Sequence, residues 1–221
     1  MIFVEAPTLL TTFVQTPVDY DPDSRYPVVV ALHGFGSSAE RFLDLATQFT
    51  LEGVVFAAVR APYTFLYDDG QMGYDWSLQH LREHEPGEEA VKLTIDYITT
   101  VIAEISETYP VNRVFMLGFS QGGAFAYMTG IANHSSIDGL IVFGSRFDSS
   151  WFPNGALATG NDLPVFVAHG ESDAAIGIAA AESARDELRE IGYDVTFRPF
   201  DAGHTIPLDV LAEVIAWIGE R

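Results

Sequence analysis

Arg113-Val114-Phe115-Met116-Leu117 runs into Gly118-Phe119-Ser120-Gln121-Gly122-Gly123 and then Ala124-Phe125-Ala126-Tyr127-Met128. An apolar run, a glycine-flanked serine and a second apolar run together predict a strand, a sharp turn and a helix. Such a turn lifts the serine hydroxyl clear of the sheet and sets it beside the unpaired N–H groups that begin the helix. Ser120 is therefore a candidate nucleophile.

Further strand-like runs lie on either side of this one, at Leu9 to Gln15, Val28 to Leu32, Val54 to Val59, Leu140 to Phe143, Val165 to Ala168 and Val195 to Phe200. Most are continuous and β-branched, as strands buried on both faces are. Helical patterns separate several of them. From Glu88 to Thr108, Val91, Ile95, Ile98, Ile102 and Ile105 recur at steps of four and three. A second pattern runs from Ala174 to Ile191 and stops at Gly192, and a third runs from Pro207 to Gly219. This alternation predicts an α/β fold: a mostly parallel central sheet, helices on both faces, and ligands at the carboxyl ends of the strands. From Tyr63 to Pro86 the chain is aromatic and glycine-rich with no helical period, which predicts a loop or small hairpin over the same end.

At 221 residues the chain suits one domain over 1–221. No apolar run approaches the roughly 18 residues of a membrane span, so stable membrane insertion is not expected. The first residues, Met1-Ile2-Phe3-Val4-Glu5, do not resemble a secretory signal, and a cytoplasmic location is the default expectation. The absence of cysteine excludes disulfides, thiolate metal sites and a cysteine nucleophile. Thirty-one acids against eleven bases give a formal charge of −20, and Lys92 is the only lysine. Such a field opposes nucleic acid and anionic lipid, so the expected partner is a small molecule; a homodimer is compatible with the sequence.

A serine hydroxyl needs a base, a carboxylate to orient that base, and donors for the oxyanion that forms. His204, in Asp201-Ala202-Gly203-His204-Thr205 after the last strand, is the candidate base. Asp173, in His169-Gly170-Glu171-Ser172-Asp173 after the preceding strand, is the candidate carboxylate. The order Ser, Asp, His is that of α/β-hydrolases. Backbone amides are the natural oxyanion donors, because they are rigid and positioned in advance. The Gln121 amide is one, and Phe35, in the glycine-rich turn Leu32-His33-Gly34-Phe35-Gly36, supplies the second.

With these residues in place, the chain resembles the carboxylesterase and phospholipase branch of the α/β-hydrolases, which includes acyl-protein thioesterases and small carboxylesterases. The resemblance rests on Leu32 to Gly36, Gly118 to Gly123, His169-Gly170 leading to Asp173, and Gly203-His204. It implies a serine hydrolase that needs no cofactor and no metal, acts on small-molecule esters or thioesters, lysophospholipids among them, through an acyl-enzyme, and has no large lid domain. The sequence departs from the family pattern between Pro62 and Pro86, apart from Asp75-Trp76, and again from Gly144 to Phe152.

Other residues compete for these roles. Ser145 also follows a strand, but no helix opens directly after it. Asp201 lies too near His204 in sequence to reach its ring comfortably. His33 and His169 are expected to fix loops through backbone groups, and His80, His84 and His134 to be solvated. Among the aromatics, Phe35 and Trp76 are the candidate pocket residues.

Overall fold

The structure, a computed structural model, describes residues 11–79, 87–152, 157 and 162–221. Strand β1 (Thr12–Gln15) leads to β2 (Tyr26–Leu32), two short helices α1 (Ala39–Phe42) and α2 (Ala46–Leu51), and β3 (Val55–Val59). A hairpin of β4 (Tyr63–Leu66) and β5 (Met72–Asp75) precedes the long helix α3 (Glu88–Thr108). Then follow β6 (Val111–Phe119), α4 (Gln121–Ala132), β7 (Gly139–Phe143), β8 (Val165–Gly170), α5 (Ala179–Ile191), β9 (Val195–Phe200) and α6 (Leu208–Gly219).

The main sheet has the order β1-β3-β2-β6-β7-β8-β9, so β6, which carries Ser120 at its end, lies at the middle. Only β1 runs antiparallel to its neighbour; the other pairs are parallel. Side chains alternate along a strand, so a sheet buried on both faces feeds two cores. Val28, Val30 and Leu32 of β2 join Ile98 of α3, Phe125 of α4 and Leu188 of α5 on one face. Val29 and Ala31 join Phe49 of α2 and Leu211 and Trp217 of α6 on the other. Fully burying a Val, Leu, Ile or Phe side chain contributes about 1.5–3 kcal/mol, which accounts for the absence of a polar residue from Val28 to Leu32.

Several boundaries differ from those the sequence predicts, each for a local reason. The first strand is seen from Thr12; residues 9 and 10 lie outside the described residues. Helix α5 begins at Ala179 instead of Ala174, because the Asp173 carboxylate accepts the Ala175 and Ile176 amides and bends the chain into a loop first. Strand β8 extends two residues further, through His169 and Gly170, by pairing with Pro199 and Phe200 of β9. The aromatic stretch forms the β4–β5 hairpin, a separate two-stranded sheet. Its Tyr74 carbonyl accepts the Gly36 amide at 2.9 Å and thereby joins the hairpin to the turn after β2. No lid domain is inserted among the described residues.

Candidate active site

Ser120 stands between β6 and α4 with φ 55° and ψ −120°. Among the described residues only Leu78 shares a positive φ without being glycine. Such a backbone costs on the order of 1–3 kcal/mol and persists only where its surroundings hold it. Here the Ser120 amide donates to the Phe143 carbonyl at 2.9 Å, and the Ser120 carbonyl accepts from Gly123 and Ala124. Helix α4 must also start very close to β2. A Cβ on Gly122 would lie 2.3 Å from the Leu32 carbonyl oxygen and 2.5 Å from that of His33, so only glycine fits there.

Two further loops bring their side chains to this turn. His204 Nε2 lies 2.9 Å from Ser120 Oγ, and His204 Nδ1 lies 2.6 Å from Asp173 Oδ2. An ionised carboxylate only accepts, so Nδ1 carries the ring proton and the Nε2 lone pair faces the serine hydroxyl. Asp173 Oδ1 accepts the Ala175 and Ile176 amides at 2.8 and 2.9 Å. Burial pushes the Asp173 carboxyl up. The Ile176 amide, the His204 ring and the Ala175 amide outweigh it and hold the group below the usual carboxylate range. The imidazole is seated by the Phe119 ring, whose centroid is 4.6 Å away, and by Gly144 at φ 54°. A Cβ on Gly144 would stand 3.2 Å from His204 Nδ1 and 3.1 Å from Phe119 Cε2. The competing Asp201 is exposed, and Ser145 is buried against Gly123.

The turn after β2 faces the same serine. Among the described residues, neither the Phe35 amide nor the Gln121 amide has a hydrogen-bond partner. His33 anchors the turn from below: its Nδ1 donates to the Gly34 carbonyl at 2.8 Å, and its Nε2 accepts the Ala61 amide at 3.2 Å. Burial lowers the His33 pKa to about 4, with the nearby Arg60 charge acting in the same direction. Trp76 does not fit the pocket role expected of it. It has no exposed surface, and its indole N–H donates to the His33 carbonyl at 2.8 Å, so it supports the turn from within the core. Phe35 is partly exposed and stacks on Phe65 at 5.2 Å.

Two features escape the sequence reading. Gln121 also works through its side chain: Nε2 donates to Asp75 Oδ1 at 2.7 Å and Ser77 Oγ at 3.1 Å, and Oε1 accepts the Trp76 amide at 3.2 Å. This clasp ties the start of α4 to the end of the hairpin, and the Asp75-Trp76 pair opposite a glutamine was its only trace in the sequence. His169 Nε2 approaches Asp173 Oδ2 at 3.4 Å. Arg146, for which the sequence suggests a surface ion pair in preference to a contact with a substrate anion, forms no ion pair among the described residues and lies over the Trp151 ring at 5.8 Å. His80 and His84 lie outside the described residues, and His134 is exposed. Among the described residues no three His, Asp or Glu side chains are grouped to hold a metal. A cleft of about 550 Å³ opens near Pro27, Arg113 and Ile218, at the amino ends of β2 and β6 and away from Ser120.

A family model described as phospholipase/carboxylesterase matches residues 16–220. Acyl-protein thioesterase 1 of Neurospora crassa is 28% identical over 214 residues, spanning 87% of this chain and 86% of that protein. Acyl-protein thioesterase 1 of Emericella nidulans is 26% identical over 200 residues, 78% of this chain and 80% of that one. Among solved structures, esterase PE8 superposes with a TM-score of 0.79 at 22% identity, covering 96% of this chain and 99% of its own. The Bacillus cereus carboxylesterase superposes with a TM-score of 0.74 at 18% identity, covering 96% and 94%. Both likenesses bear on the fold. No helix among the described residues is long and apolar enough to cross a membrane.

Proposed function

The chain belongs to the phospholipase/carboxylesterase family of α/β-hydrolases, and from that premise we propose that it is a single-domain serine carboxylesterase acting on short- to medium-chain esters. The observation that carries this reading is the spacing around His204, 2.9 Å from Ser120 Oγ on one side and 2.6 Å from Asp173 Oδ2 on the other. In the reading, Ser120 Oγ attacks the ester carbonyl while His204 Nε2 takes its proton. Asp173 steadies the imidazolium and keeps the ring in the reactive tautomer. The Phe35 and Gln121 amides receive the oxyanion, and two free N–H groups suit that role because charge developing there meets donors already aimed. His204 then protonates the leaving alcohol. Water, activated by the same ring, releases the acid from Ser120.

The names of the relatives favour a second reading, in which the leaving group is a thiol. The same residues serve both, because the acyl-transfer step does not depend on which group leaves. A panel of nitrophenyl esters from acetate to palmitate, with matched thioesters, distinguishes the two by kcat/KM. Ser120→Ala is expected to lower kcat by several orders of magnitude, up to about 10⁶-fold, and to abolish labelling by a fluorophosphonate. Folded protein that hydrolyses esters equally well without this hydroxyl would overturn the reading.

A further inference from the structure

We propose that His169 is a positioning residue that holds the Asp173 carboxylate in the orientation from which it serves His204; this rests on the reading of the site given above. His169 lies at the end of β8, and its side chain and that of Asp173 are both without exposed surface. Its Nε2 is 2.7 Å from the Ile176 carbonyl oxygen and 3.4 Å from Asp173 Oδ2. Both neighbours are acceptors, so Nε2 carries the proton. Nδ1 is then a bare lone pair, buried and without a partner among the described residues. An orphaned buried polar atom is destabilising, and an aliphatic side chain in the same space would avoid that cost. What the imidazole offers in return is the bond at Nε2.

That bond completes a clamp. The Ile176 amide donates to Asp173 Oδ1 and the Ile176 carbonyl accepts from His169, so Ile176 is fastened on both sides. With the loop locked, Oδ1 stays on the Ala175 and Ile176 amides and Oδ2 stays on His204. At 3.4 Å the direct contact from His169 to Oδ2 is too long to carry much energy, so the effect runs through the loop. Without it the carboxylate has room to turn, and its bond to His204 Nδ1 lengthens. His204 is faced by Ser120 at the start of α4, Phe119 of β6, Gly144 after β7 and Asp173 after β8. Of these only Asp173 carries a charge, so a loosened carboxylate acts directly on the imidazolium.

The test compares His169→Gln with His169→Met in the full chain, two unbranched side chains of similar length of which only the first has an N–H to donate. For His169→Met, kcat on a nitrophenyl ester is expected to fall about tenfold or more, as for a misplaced supporting group, while KM stays within about threefold. The acid limb of kcat/KM is expected to move to lower pH, because the imidazolium loses support. His169→Gln is expected to recover both kcat and the limb. Wild-type kcat and an unmoved limb in folded His169→Met would overturn the proposal, and so would equal damage in the two variants. Should neither variant fold, the imidazole ¹⁵N shifts of the wild type decide: a proton on Nε2 of His169 is expected, and one on Nδ1 refutes the clamp. Ser120→Ala run in parallel separates the two claims. If Ser120→Ala is inactive while His169→Met matches wild type, only the clamp fails; if Ser120→Ala retains full activity, the site reading fails and the clamp with it.

Discussion

His33, His169 and His204 each stand at or beyond the carboxyl end of a strand, and each is given a different task by what surrounds it. His33 is enclosed between the Gly34 carbonyl and the Ala61 amide, and burial brings its pKa from 6.5 to about 4. Between those two values the unfolded chain binds a proton that the native ring refuses, so stability rises with pH across the window. The contribution is complete above about pH 6.5 and is lost as the pH falls toward about 4. Between pH 7 and pH 5 it amounts to about 2 kcal/mol. Urea unfolding at the two pH values is expected to show a smaller loss for His33→Gln than for wild type. Equal losses would mean that this ring titrates normally in the native state. His204 was legible in the sequence from its position after the last strand. The tie between His169 and Asp173 was not, because it runs through the Ile176 backbone and so depends on how the chain turns after β8.

At the scale of elements, the stretch from Arg113 to Met128 could be read because its apolar strand, tight turn and small residues all point the same way. The start of α5 could not, since the Asp173 side chain competes with the helix for the Ala175 and Ile176 amides. Trp76 misled in another way: an aromatic near a candidate site is equally at home in a core, and its indole proton found the His33 carbonyl. The packing of α4 against β2 yields a prediction. In Gly122→Ala the new methyl would meet two carbonyl oxygens of the backbone, which cannot rotate away as a side chain would. A loss of stability of about 1–3 kcal/mol or more is expected by chemical denaturation. Hydrolysis should fall more steeply than stability, because the displaced helix start carries both Ser120 and the Gln121 amide. A variant with unaltered midpoint and turnover would show that the two elements separate freely.

For the molecule as a whole, thirty-one acids against eleven bases leave a formal charge of −20. Exposed pairs such as Arg198–Glu213 and Lys92–Asp96 contribute little each, whereas repulsion among so many carboxylates opposes the compact state throughout. Raising NaCl from 10 mM to 1 M shortens the screening length from about 30 Å to about 3 Å. The thermal midpoint is therefore expected to rise with salt. A fall would mean that the ion pairs outweigh the repulsion.

The clasp between Gln121 and the segment Asp75 to Ser77 has a practical corollary for engineering. Exchanging the hairpin through Ser77 for that of a relative would also exchange the residues that steady the first turn of α4. A graft that stops at Tyr74 keeps the native latch, while one that runs on to Ser77 must bring its donor's counterpart of position 121 with it.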